Sequence, residues 1–107
     1  MIDARAHLRS LVGQEIKTLT EQRPNRIIRI DGDEVIVGTA KSPEGRRVPI
    51  EWLQDAVDLL EREGEIAVDV ETLGHRGAFA GAFLATLPGA VVRQTTPRRV
   101  ALKRPAT

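Results

Sequence analysis

Two short stretches concentrate side chains able to do chemistry. "KSPEGRR" places Lys41, Ser42, Arg46 and Arg47 around one turn, and "GHRGAF" sets His75 and Arg76 between glycines ahead of an apolar segment. Cations at a turn can hold phosphate oxygens, and an arginine at a helix start pairs with an anion that the first backbone N–H groups also attract. A third basic stretch carries Arg23, Arg26 and Arg29, with Asn25 among them. The chemistry on offer is anion recognition, and the target it points to is the backbone of duplex DNA. The alternative is that polar turns are ordinary and that these arginines balance acids on a neighbouring helix.

Covalent and metal chemistry find little support. His7 and His75 are the two histidines, and neither has a neighbour at H-x-x-x-H spacing. Ser10 and Ser42 are the two serines, and neither lies in a G-x-S-x-G elbow. Cysteine is absent, which excludes disulfides and thiolates and favours a reducing, cytoplasmic setting. The glycines make neither G-x-G-x-x-G nor a P-loop, so no cofactor is expected and the chain by itself reads as non-enzymatic. Trp52 is the one tryptophan and tyrosine is absent, too few aromatics for a single-strand stacking platform. Phe79 and Phe83, four apart on one helix face, read as core, whereas Trp52 stays a candidate DNA contact.

The 107 residues suit one domain with a modest core. No leader-like apolar run opens the chain, and none reaches the length of a membrane span. Sixteen Lys and Arg face fifteen Asp and Glu. Five of the sixteen follow Val92 with no acid among them, so the first 92 residues carry a net charge of −4. A uniformly basic DNA binder is excluded, and any polyanion contact has to be local.

The elements that must position these residues follow from periodicity. Asp3 caps a helix whose apolar positions Leu8, Leu11, Val12, Ile16 and Leu19 form a stripe, with Pro24 as its stop. "RIIRI" and "EVIVGT" around "DG" predict a hairpin, and "SPEG" a β-turn from which "RRV" returns as a third short strand. That turn resembles a wing that lies along a phosphate backbone. Pro49 opens a second helix with Ile50, Leu53, Val57 and Leu60 inward, and Gly64 ends it. The acids from Asp55 to Glu71 read as its solvated face and the outer side of the strand "EIAVDV". A last helix runs from about Gly77 to Leu87, thinned on one side by Gly77 and Gly81. The order is α-β-β-(β)-α-β-α, an α+β fold with a short antiparallel sheet packed by helices. Residues 1–92 are the domain, and the basic, Pro- and Thr-rich residues 93–107 are a linker or tail.

The run from "RPNRIIRIDGDEVIVGTAKSPEGRRVPIEWLQ" to "LGHRGAFAGAFLATLPGA", about residues 23–90, resembles the N-terminal head modules of actinobacterial HNH-type, McrA-like restriction endonucleases. The resemblance implies a DNA-binding accessory module, with recognition of modified DNA as its further expectation, whose nuclease domain lies downstream. It points to Arg23, Asn25, Lys41, Ser42, Trp52 and Arg76. Gly77 departs from it, since that position usually carries serine. The competing reading is a protein–protein or homodimerisation module that packs the thin "GAFAGAFLA" face on a partner. A third is a small-molecule or modified-base pocket near Trp52.

Overall fold

Asp3 Oδ1 accepts the Ala6 N–H at 3.2 Å and starts helix α1 (Ala4–Leu11), which buries Ala4, Leu8 and Leu11. The computed structural model describes residues 2–19, 21–69, 73 and 77–103. α1 is shorter than its apolar stripe predicts. Gly13, just past the C-cap Val12, takes a φ of +86°, the left-handed turn that ends helices and that glycine accepts most readily. Its N–H donates to Ile27 O at 2.7 Å, and the chain continues as strand β1 (Glu15–Lys17). Ile16 is therefore buried from a strand, while Val12 stays exposed.

The predicted hairpin forms from β2 (Pro24–Asp31) and β3 (Glu34–Gly38), closed by Gly32 and Asp33 between the paired Asp31 and Glu34. "RRV" returns as β4 (Arg46–Pro49), giving an antiparallel sheet in the order β1-β2-β3-β4. The β2–β3 register slips between Ile27 and Arg29. Ile27 and Ile30 lie three apart and cannot share a face at a strand's period of two. The bulge at Ile28 absorbs the extra residue, so Ile27 pairs with Val37 and Ile30 with Val35 on the core side.

Pro49 ends β4 and is the N-cap of helix α2 (Ile50–Glu63), which starts one residue later than expected. The Ile50 N–H, which has no partner inside the helix, donates to Asp33 O at 2.9 Å. Ile50, Leu53, Ala56, Val57 and Leu60 form the buried stripe, and Gly64 closes the helix by donating to Leu60 O. The following strand is shorter than "EIAVDV", covering Glu65–Ala67 (β5). Helix α3 (Gly77–Ala85) is buried all round except at Ala78 and partly at Ala85. A helix apolar on every side belongs in the interior.

Residues 93–103 are not a linker, contrary to expectation. β6 (Ala90–Arg93) and β7 (Arg99–Leu102) join β5 in a second antiparallel sheet with β7 central, and Val100 is fully buried. Glu65 ties the three strands together by accepting from both Arg93 and Arg99. These arginines, read as tail charge, are sheet ion pairs. Residues 104–107 lie outside the described residues. One continuous core joins Leu8, Ile27, Leu53, Leu60, Phe83 and Val100 from α1, α2, α3 and both sheets. The result is a small α+β domain.

Candidate functional site

Strand alternation sorts the basic residues of the first sheet. Arg46 pairs with Val37, an inward position, whereas Arg47 pairs with Ile36 and faces outward. Arg26 pairs with Gly38 and Arg29 with Ile36, so both share the outer face with Arg47. There Arg47 donates to Asp31 at 3.0 Å and to Glu34 at 3.3 Å, which keeps its guanidinium even more firmly protonated than usual. The outer face is charge-balanced, with Glu15 opposite Arg26 across β1.

The inner face opens at one end into a cavity of about 580 Å³. Val37 and Val48 of the sheet and Phe79 of α3 supply its apolar lining, with Ala78 beside them. The β1–β2 corner contributes Thr18, Arg23, Pro24 and Asn25; the β3–β4 connection contributes Thr39, Ala40 and Lys41, and β4 adds Arg46. Local hydrogen bonds hold both corners. Thr18 Oγ1 accepts the Arg23 N–H at 2.9 Å, and the Thr18 N–H donates to Arg23 O at 3.0 Å. The Ser42 N–H donates to Thr39 Oγ1 at 3.0 Å, and Ser42 Oγ accepts from Arg46 Nε at 3.2 Å.

The turn "SPEG" does not project as a wing. It folds back over the outer face, where a Cβ on Gly45 would overlap Ile36 Cγ2 and lie 3.2 Å from Ile28 Cδ1. Pro43 O approaches within 3.2 Å of the corresponding position at Gly38. Lys41 and Arg46 thereby reach the cavity from the loop's two flanks, with Ser42 as the side chain that positions Arg46.

Three cations, Arg23, Lys41 and Arg46, line the cavity, and no carboxylate does among the described residues. Arg23 is shared with Glu21 in an exposed ion pair. Neither Lys41 nor Arg46 has an ion pair among the described residues. Asn25 is only 6% exposed, and its amide makes a single contact, from Nδ2 to Arg23 O at 3.5 Å. That distance is at the outer limit of a hydrogen bond.

The remaining candidates fall elsewhere. Trp52 packs on α2 against the core and does not line the cavity. Arg26 and Arg47 belong to the opposite face. His75 and Arg76 lie outside the described residues. The thin side of α3 is occupied by the chain itself. A Cβ on Gly81 would overlap Val68 Cγ1, and one on Gly77 would lie 3.2 Å from Asp69 O and 3.3 Å from Leu73 Cβ. Glycine at position 77 thus suits close packing. Phe79, read as core, is also a wall of the cavity. Its place on the cavity wall has no local signal, because i, i+4 spacing cannot tell a core ring from a cavity ring.

Among the described residues no three His, Asp or Glu side chains converge on a metal position, and no helix is long and apolar enough to cross a membrane. Comparison with protein-family models, with curated proteins and with solved structures finds no match.

Proposed function

We propose that this domain is a DNA-binding module, without catalytic activity of its own, that receives duplex backbone across the mouth of the inner cavity. The observation that carries the reading is the gathering of Arg23, Lys41 and Arg46 around one opening whose lining includes no carboxylate among the described residues. Lys41 and Arg46, free of ion pairs among the described residues, are the phosphate contacts, while Arg23 adds charge at the rim. Such contacts position a protein on DNA without reading its sequence. The resemblance of residues 23–90 to restriction-endonuclease head modules supports the reading that the domain serves a modification-dependent restriction system, in which a separate nuclease domain would cut.

A fluorescence-polarisation titration with plain and methylated duplexes tests this. Binding at low salt that falls steeply as salt rises is expected, with a slope of about 0.9 per neutralised phosphate. Lys41→Ala combined with Arg46→Ala should remove roughly two such contacts from that slope. No binding to either duplex at low salt overturns the proposal.

A further inference from the structure

We propose that the cavity behind the cationic rim holds a single unpaired nucleobase, whose own phosphate lies on Lys41 and Arg46. The inference rests on the DNA-binding reading and goes one step further. Backbone contacts require exposed cations, not an apolar recess with a buried amide at its side. Here both are present. The cavity, at about 580 Å³, falls within the size range of small-ligand sites. Phe79, Val37 and Val48 offer the apolar and aromatic surface on which a heterocycle packs.

Asn25 supplies the directional element. Its side chain is more than nine-tenths buried, lines the cavity, and has no hydrogen-bond partner among the described residues beyond the 3.5 Å contact to Arg23 O. Nδ2 has only that long contact and Oδ1 accepts from no described residue, so on the wall of an open cavity both are available to a complementary edge. Asparagine meets adenine in this way, accepting from N6 and donating to N7. Adenine is accordingly the base the cavity should prefer. A base inside a duplex cannot reach such a recess, so the DNA form of this ligand is an extruded or unpaired nucleotide. A free nucleoside monophosphate shares the same chemistry.

The test titrates the full chain with deoxyadenosine monophosphate, the other three deoxynucleoside monophosphates, deoxyadenosine and inorganic phosphate. The amide signals of Asn25 in ¹H–¹⁵N spectra report binding. Two duplexes are titrated in parallel, one fully paired and one with a single unpaired adenine. Deoxyadenosine monophosphate should bind at least about tenfold more tightly than inorganic phosphate, and the unpaired duplex about tenfold more tightly than the paired one. Ala78→Trp fills the cavity from an exposed helix position, so it leaves the core intact. Ala78→Trp and Asn25→Ala should each abolish the nucleotide preference while leaving the paired duplex bound as before.

The proposal is overturned if nucleotides bind no better than inorganic phosphate, or if a folded Ala78→Trp protein binds them unchanged. Nucleotide binding without binding of either duplex upholds the cavity as a nucleotide site and removes the DNA reading. Binding of paired duplex without nucleotide preference does the reverse.

Discussion

Arg46 and Arg47 are neighbours on β4 and work on opposite faces of one sheet. Arg46 Nε donates to Ser42 Oγ at 3.2 Å beside the inner cavity, whereas Arg47 reaches Asp31 and Glu34 on the outer face. The pleat alone imposes this division, since successive side chains of a strand leave in opposite directions. A doublet of arginines thus contributes one cation to the candidate site and one to structure.

That division predicts unequal consequences of two adjacent substitutions. Arg46→Ala should weaken duplex binding several-fold and lower the salt slope by about 0.9, the loss of one phosphate contact. Arg47→Ala should leave the slope unchanged. Polarisation titrations at several salt concentrations measure both, and equal effects would show that the two residues share a role.

Gly81 is a packing residue against Val68. Gly81→Ala should destabilise the domain by roughly 1–3 kcal/mol from overpacking, which exceeds the gain of about 1 kcal/mol in helix propensity at the upper end of that range. The clash is with a short, stiff side chain, so Val68→Ala should relieve it. In the Val68→Ala background, Gly81→Ala should become neutral or stabilising. Denaturant unfolding of the four proteins of this cycle checks the coupling.

His7 joins α1 to α3, with Nε2 at 2.9 Å from Thr86 Oγ1 and its ring edge-on to Phe83 at 5.6 Å between centroids. Partial burial pushes its pKa below the usual 6.5, an effect that a hydrogen bond to the Thr86 backbone opposes only in part. The folded state therefore favours neutral imidazole. Its stabilising contribution is complete above about pH 6.5 and is lost as pH falls below that value toward the lowered folded pKa. Melting temperatures recorded from about pH 8 to about pH 5 should decline at the acidic end, and His7→Gln should flatten part of that decline.

The second sheet depends on β7. A chain ending at Val92 loses the strand between β5 and β6 and the burial of Val100, which alone is worth about 1.5–3 kcal/mol. It should lack a cooperative unfolding transition by circular dichroism. A chain ending at Lys103 should melt like the full protein. Equal melting of all three would restore the linker reading of residues 93–107.

Much of the fold is legible in local sequence. Asp3, the turn at Gly32, Pro49 and Gly64 each act within a few residues of themselves, and the structure uses all four at element ends. The stripe of α2 is equally local. Local pattern misleads where it competes with a local breaker. Gly13 ended α1 although apolar residues continued at near-helical spacing, because a left-handed glycine and a backbone bond to Ile27 redirect the chain. The candidate site was legible only in part. Lys41, Arg46 and Asn25 were identifiable as polar residues of interest, but their meeting with Phe79 was not.

The sequence by itself determined the helical faces, the hairpin and the absence of thiol chemistry, because these depend on residue type and on periods of two or 3.6. Only the tertiary structure decided which cations face one opening and where the last eleven described residues go. Glu65 pairs with Ala101 across 36 positions, and β5, β6 and β7 are three or four residues long. Strands that short carry no usable period, and their pairing is settled by the closing of a shared core around Val100. The bulge at Ile28 and the alternation of β4 then choose the inward cations, a matter of register that no single stretch of the chain contains.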